Sequence, residues 1–264
     1  MSDELWARID PYLPVHPLGC HRPRVDNHKV LNGIFFVLRT GVPWKALDAT
    51  GLCSGSTAHA RLQDWTQAGV FERLWVDSLL EYDQEKKLAW KWQSMDGALT
   101  KAPLGGEKTG PNPTDRAKLG TKRSLLTDAK GISVGLVVAG ANVHDMRLVE
   151  ATLGSIPQEV EALRLAHLSR TLQHLWLDKG YDYDEVRELA DAFGYEVDLR
   201  TRGEEATAKR HRRGKPRSWV VERTHSWLNR YRRILVRWEK RAANYQAMLH
   251  FACASLIWNK CLFE

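Results

Sequence analysis

Hydrophobic positions in the first 80 residues recur at helical spacing. Leu5, Ile9 and Leu13 share one face, and the pattern stops at Pro14. After a loop through Gly19–Arg24, the positions Val30, Ile34, Phe35, Val37 and Leu38 predict an amphipathic helix ending at Thr40-Gly41. A turn at Pro43-Trp44 follows. Ser54-Gly55-Ser56 caps a helix running through Ala58, Leu62 and Trp65 to Gly69, and Phe71–Leu80 predicts another. Short helices with tight connections fit a helix-turn-helix module, with Ser56, His59, Arg61 and Gln63 as candidate base or phosphate contacts.

From residue 91 the pattern changes. Trp92–Leu99 predicts a strand, and Lys101–Lys122, rich in Gly, Pro, Lys and Thr, predicts a loop. Arg123–Asp128 and Ile132–Ala139 predict a hairpin around Ala129-Lys130-Gly131. Val149–Arg164 reads as a helix interrupted at Gly154 and Pro157. Leu172–Leu177 is an apolar strand ending at Asp178, Glu185–Phe193 a helix and Glu196–Leu199 a short strand. Two helices, Trp219–Arg237 and Tyr245–Cys261, close the chain. Hairpin strands followed by alternating strand and helix predict an α/β sheet behind a helical module.

Composition narrows the classes. The 264 residues allow one large or two small domains, and 43% hydrophobic content supports a buried core. No apolar run reaches the roughly 18 residues needed to span a bilayer. The acidic start Met1-Ser2-Asp3-Glu4 does not read as a secretory leader. The four cysteines form no CxxC pair and read as reduced thiols, so a cytoplasmic protein is expected. The net charge of +7 is concentrated: residues 200–240 carry 14 Lys and Arg against 4 Asp and Glu, a local balance of +10. The rest of the chain is slightly acidic. Such a patch, with its basic loop at 200–217, favours a polyanion through release of phosphate counterions.

Three acids stand out. Asp96 lies within a predicted strand, where a charge is costly unless paired or holding a metal. Asp178 ends a strand, the place where ligands gather in open α/β sheets. Glu222 lies in the first turn of a helix, across from the apolar stripe Trp227, Tyr231, Ile234 and Trp238 and grouped with His225, Asn229 and Arg233. Singly they read equally as a turn former, a helix cap and an acid favoured by the helix dipole. Together, two strand-end aspartates and a helix glutamate suit two Mg²⁺ ions, which take hard oxygen ligands and drive phosphodiester chemistry. Other features lead elsewhere. Gly105-Gly106-Glu107-Lys108-Thr109 lacks the order of a phosphate loop, so no nucleotide cofactor is expected. His144-Asp145 reads as a structural polar cluster after the hairpin, and no histidine or cysteine spacing suits zinc.

Over roughly residues 3–260 the chain resembles the insertion-sequence-5 family of transposases, within the DDE group that uses a ribonuclease-H-like fold. The resemblance runs through Arg22-Pro23-Arg24-Val25-Asp26, Leu38-Arg39-Thr40-Gly41-Val42-Pro43-Trp44, Asp96-Gly97 and Gly105–Pro113. It continues through Gly120-Thr121-Lys122-Arg123, Gly140-Ala141-Asn142-Val143-His144-Asp145, Asp178-Lys179-Gly180-Tyr181 and Trp219-Val220-Val221-Glu222-Arg223-Thr224. It implies a ribonuclease-H-like mixed sheet flanked by helices at 89–264, preceded by an all-α helix-turn-helix-like module at 1–88. It assigns Asp96, Asp178 and Glu222 as the metal-binding trio, spaced 82 and 44 residues apart, the second gap too short for a large inserted domain. It departs from the wider group's tyrosine–arginine–glutamate–lysine signature, where this chain has Lys215, Ser218 and Asn229, with Arg217, Arg223 and Arg230 nearby.

The activity implied is Mg²⁺- or Mn²⁺-dependent cleavage of transposon ends, with two ions, and joining of the 3′-hydroxyl to target DNA. A homodimer would bind the terminal inverted repeats of double-stranded DNA, in the cytoplasm and at the nucleoid. Candidate DNA contacts are Arg22, Arg24, His59, Arg61, Lys118, Lys122, Arg123, Lys179, Arg217, Arg223, Arg230, Arg233 and Arg237. The last four recur along one predicted helix, where Arg223, Arg230 and Arg237 would share a face. A non-catalytic repressor derived from a transposase, and a metal nuclease without strand transfer, are the competing readings.

Overall fold

The computed structural model describes residues 3–14, 24–168, 171–199 and 217–263. Arg22 and positions 200–216 of the basic loop lie outside them, as does Cys20. Cys53, Cys253 and Cys261 are free thiols. Among the described residues no helix is long and apolar enough to cross a membrane.

The helices form where the spacing placed them. After α1 (Asp3–Ile9) comes α2 (Asn27–Thr40), capped by the Asp26 side chain, which accepts from Lys29 N at 3.0 Å. It stops at Gly41, whose φ of 73° suits a left-handed C-cap. Ser54 caps α3 (Gly55–Gln67) by accepting from Thr57 N at 3.1 Å, and α4 (Val70–Lys86) follows.

The sheet holds β1 (Trp92–Lys101), β2 (Gly110–Pro111), β3 (Leu119–Asp128), β4 (Ser133–Gly140), β5 (Gln173–Leu177) and β6 (Tyr195–Leu199). β1, β3 and β4 run as an antiparallel meander. β5 and β6 extend the other edge of β1 in parallel, giving the lateral order β4-β3-β1-β5-β6, with the short β2 also on β3. This mixed order, with β1 central, is the expected ribonuclease-H-like sheet. Between β4 and β5 lie α5 (Val149–Leu153) and α6 (Gln158–Leu168), split at the predicted Gly154 and Pro157; α7 (Asp184–Ala192) joins β5 to β6. The chain ends with α8 (Trp219–Leu228), α9 (Arg232–Leu235) and α10 (Ala242–Phe263).

The structure corrects two expectations. The stretch taken as loop up to Lys122 contains β2 and the start of β3, because β1 and β3 stay paired out to Lys101↔Gly120. Backbone pairing there runs through polar Gly-Thr-Lys positions that carry no apolar alternation. The single helix predicted over Trp219–Arg237 is broken after Leu228. Tyr231 leaves helical geometry at ψ 90°, and Arg237 N donates to Lys101 O at 2.8 Å, pulling the segment onto the end of β1.

α10 is apolar nearly all round, so from Asn244 to Trp258 it is buried or half-buried on every side. α4 packs along it, and Phe35 and Phe71 each approach Phe251 with ring centroids 5.5 Å apart. Trp75 Nε1 donates to Ser133 O at 3.1 Å, fixing α4 to β4. Buried side chains of the N-terminal helices and of the sheet form one continuous core.

Candidate active site

The register of β1 on β5 brings two of the three acids together. Trp92 pairs with His174 and Ser94 with Trp176, so two further positions along each chain place Asp96 level with Asp178. Side chains alternate along a strand, which puts both acids on the same face. β5 ends at Leu177 while β1 continues, leaving Asp96 at an opening in the sheet. Glu222 arrives on α8, which packs on β1. Ser94 Oγ donates to Arg217 O at 3.1 Å, and His225 Nε2 donates to Asp96 O at 3.3 Å, tying this helix to the strand that bears the first acid. Burial, and then Arg123, push the His225 pKa down to about 3, so its ring is a neutral hydrogen-bond donor.

The electrostatics fit a cation. Asp96 is pushed up to about 7, chiefly by burial and further by Asp178, Asp145 and Glu222, against a hydrogen bond from Gly97 N. Its carboxylate is thus buried close to three further acids, and its oxygen donors are of the kind that hard divalent ions take. Asp178 and Glu222 are exposed. The donors are not yet gathered: among the described residues no three Asp, Glu, His or Cys side chains form a cage. Asp96 Oδ1 and Asp178 Oδ1 are each turned to nearby backbone, Gly97 N and Gly180 N, both at 2.8 Å. The second oxygen of each aspartate takes no part in these bonds.

Two family models match the chain. One, described as "Putative transposase of IS4/5 family", covers residues 1–75; the other, "Transposase DDE domain", covers residues 92–257. A relative from Burkholderia cepacia, the "Putative transposase for insertion sequence element IS402", is 40% identical over 161 residues, 59% of this chain and 71% of its own length. The chain belongs to the DDE transposases of the IS4/5 family. A second Burkholderia cepacia protein, of insertion element IS402, is 36% identical over 120 residues, 43% of this chain and 80% of its own. Among solved structures, the catalytic domain of Mos1 mariner transposase aligns over 73% of this chain and 91% of that one, with 12% identity and a TM-score of 0.32. A pre-cleavage Mos1 transpososome aligns over 94% and 81%, with 11% identity and the same score. Such low scores leave the fold assignment to the strand order.

The candidate DNA contacts of this transposase divide sharply. Arg24, Lys118, Lys179 and Arg230 are exposed. Arg217 is half-buried, its guanidinium 5.2 Å from the Trp92 ring centroid and 5.1 Å from that of Trp176, on the face that carries Asp96 and Asp178. Six others are committed to the protein itself, which corrects the sequence reading. Arg61 is buried and donates to Asn27 Oδ1 at 3.1 Å. Lys122 is buried, with Nζ 2.9 Å from Asp145 Oδ1 and donating to Val143 O at 2.7 Å. Arg123 is 2% exposed and donates to Asn229 Oδ1 at 2.9 Å. Arg223 lies over the Trp219 and Trp227 rings and donates to Lys130 O at 2.8 Å. Arg233 makes a buried ion pair with Glu239 at 2.8 Å. Arg237, 1% exposed, donates to the carbonyls of Glu239 at 2.9 Å and Glu107 at 2.6 Å. With α8 broken, the arginine row does not line one face.

His59 and Gln63 do not project freely from α3. They line a cleft of about 730 Å³ with Trp44 and Trp238, and the His59 ring meets Trp44 edge-on at 5.4 Å. None of the three acids lines that cleft. The outward positions of α3 are Ser56, Ala60, Asp64 and Gln67, which carry no positive charge.

Sequence reasoning set Asp145 aside as structural, yet it reaches the acidic group, because it raises the pKa of Asp96. Its only sequence signal was its place directly after a strand end, in His144-Asp145. The structure also gives a reason for the glycine after Asp96: a Cβ on Gly97 would stand 2.2 Å from Asp145 Oδ1.

Proposed function

We propose that this transposase binds the terminal inverted repeats of its own element, cuts the ends with divalent ions, and joins the 3′-hydroxyl to target DNA. Asp96, Asp178 and Glu222 are the cation ligands in this reading, with two Mg²⁺ or Mn²⁺ ions, and a homodimer at the nucleoid holds two ends. The observation that carries it is the register of β1 on the parallel strand β5, which sets Asp96 level with Asp178 just past the end of β5, with Glu222 on a helix bonded to β1. When bound, such ions activate a water or hydroxyl oxygen and stabilise the leaving oxygen. The chain's own part is to hold three carboxylates around the opening beside β5 and to let Asp96 lose its proton there. Arg24, Lys118, Lys179, Arg217 and Arg230 are the positions from which phosphates are neutralised, together with the basic sequence at 200–217.

The test is incubation of labelled end DNA with Mg²⁺ and either wild type or Asp178→Ala, the end sequence being taken from the DNA flanking the gene. Wild type should nick the end and give joined products, and the variant should give neither. Specific binding with no cutting by wild type would point to a repressor; cutting without joining would point to a nuclease.

A further inference from the structure

Asp145 approaches β1 from the side opposite the Asp96 carboxylate. Adjacent strand residues point opposite ways, and it is the missing Cβ of Gly97 that would meet Asp145 Oδ1, at 2.2 Å. Lys122 anchors this acid by an ion pair of 2.9 Å between buried Nζ and the same oxygen. Gly97 supplies the room, so the Asp-Gly pair, Lys122 and Asp145 form a floor beneath the site.

Tyr181 completes that floor. It ends the 3-10 turn Lys179–Tyr181 that starts directly after Asp178, and it is 1% exposed. Its hydroxyl is buried and has no hydrogen-bond partner among the described residues. A buried hydroxyl without an acceptor costs free energy, so its retention asks for a reason. Its surroundings supply one: the turn that carries it packs on the Asp145–Leu148 turn, and, after burial, the negative charges of Asp145, Asp96 and Asp178 raise its pKa well above the ordinary phenol value. A protonated phenol among carboxylates is a hydrogen-bond donor, and drawing the carboxylates together would give it an acceptor.

We propose that Tyr181 and Asp145 are positioning residues that orient Asp96 from beneath, Tyr181 by donating its hydroxyl hydrogen to the acidic group and Asp145 by fixing the floor through Lys122. Groups in this outer position typically change metal affinity by 10–100-fold when removed. The proposal rests on the reading of Asp96, Asp178 and Glu222 as cation ligands.

The test is Mn²⁺ titration of the full chain followed by electron paramagnetic resonance, with a melting curve for each variant. Tyr181→Phe keeps the ring and removes only the unpartnered hydroxyl. It should melt at or above the wild-type temperature and yet bind Mn²⁺ about tenfold more weakly. A purely structural hydroxyl would give the reverse, a lower melting temperature with unchanged affinity, and would overturn the proposal. Asp145→Asn is made together with Lys122→Met, so that no charge is left buried alone. This pair should also weaken Mn²⁺ about tenfold. Wild-type affinity in both variants, alongside lost affinity in Asp96→Asn, overturns the positioning role alone. Wild-type affinity in Asp96→Asn overturns the ligand reading, and the positioning role with it.

Discussion

Asp128 shows how one buried carboxylate can shape a turn. It ends β3 and accepts from Ala89 N at 2.9 Å, Lys130 N at 2.9 Å and Ile132 N at 2.8 Å, closing the β3–β4 hairpin. Burial nonetheless pushes it up to about 6. Between pH 4 and 6 the folded chain therefore keeps a proton that the unfolded chain releases, so this group's contribution to stability falls as pH rises through that window. A shift of that size corresponds to roughly 2–3 kcal/mol. Urea unfolding of wild type and Asp128→Asn across pH 4–7 should show wild type losing about that much relative to the variant; parallel curves would refute the assignment. At Gly97 the expected effect is steric. Gly97→Ala should lower the melting temperature by several degrees and weaken cleavage at least tenfold, and adding Asp145→Ala together with Lys122→Met, which leaves no charge buried alone, should recover the stability, as a mutant cycle would show.

At the scale of elements, the break between α8 and α9 decides which arginines can meet DNA. Arg230 points outward from the break, whereas Arg237 holds backbone carbonyls inside the protein. Arg230→Glu should weaken DNA binding and reduce its salt dependence while leaving the melting temperature within a degree or two. Arg237→Ala should cost about 3–5 kcal/mol of stability, because it leaves several buried carbonyls without their donor. A filter-binding series in salt, run beside thermal melts, separates the two. If Arg237→Ala lost DNA affinity at full stability, the interior role assigned to it would be wrong.

At the scale of the whole molecule, the N-terminal helices and the sheet share one core. α4 covers the long apolar α10, and Trp75 reaches β4. A chain beginning at residue 89 would uncover much of α10 and leave the Ser133 carbonyl without its indole donor. It should show no cooperative melting transition and should bind a dye for exposed apolar surface. Sharp melting of the shortened chain would show that the two parts fold independently.

What the sequence determined by itself was local and periodic. The helices α2 to α4, the β3–β4 hairpin turn, the strand ending at Asp178 and the break at Gly154–Pro157 follow from spacing, caps and turn residues, which act over a few positions. The motif matches that carry the family resemblance were legible too, since each is a short run of fixed residues. Only the tertiary structure decided which cations face solvent. Charge in a sequence has no direction, and Lys122, Arg123, Arg233 and Arg237 are buried by partners as far away as Asn229 and Glu107. The break after Leu228 was hidden for the same reason, since Arg237 is drawn to Lys101, more than a hundred residues earlier. The level placement of Asp96 and Asp178 required a strand register, and the approach of Asp145 to Gly97 required a loop to cross beneath the sheet; neither is written in the spacing of any one segment.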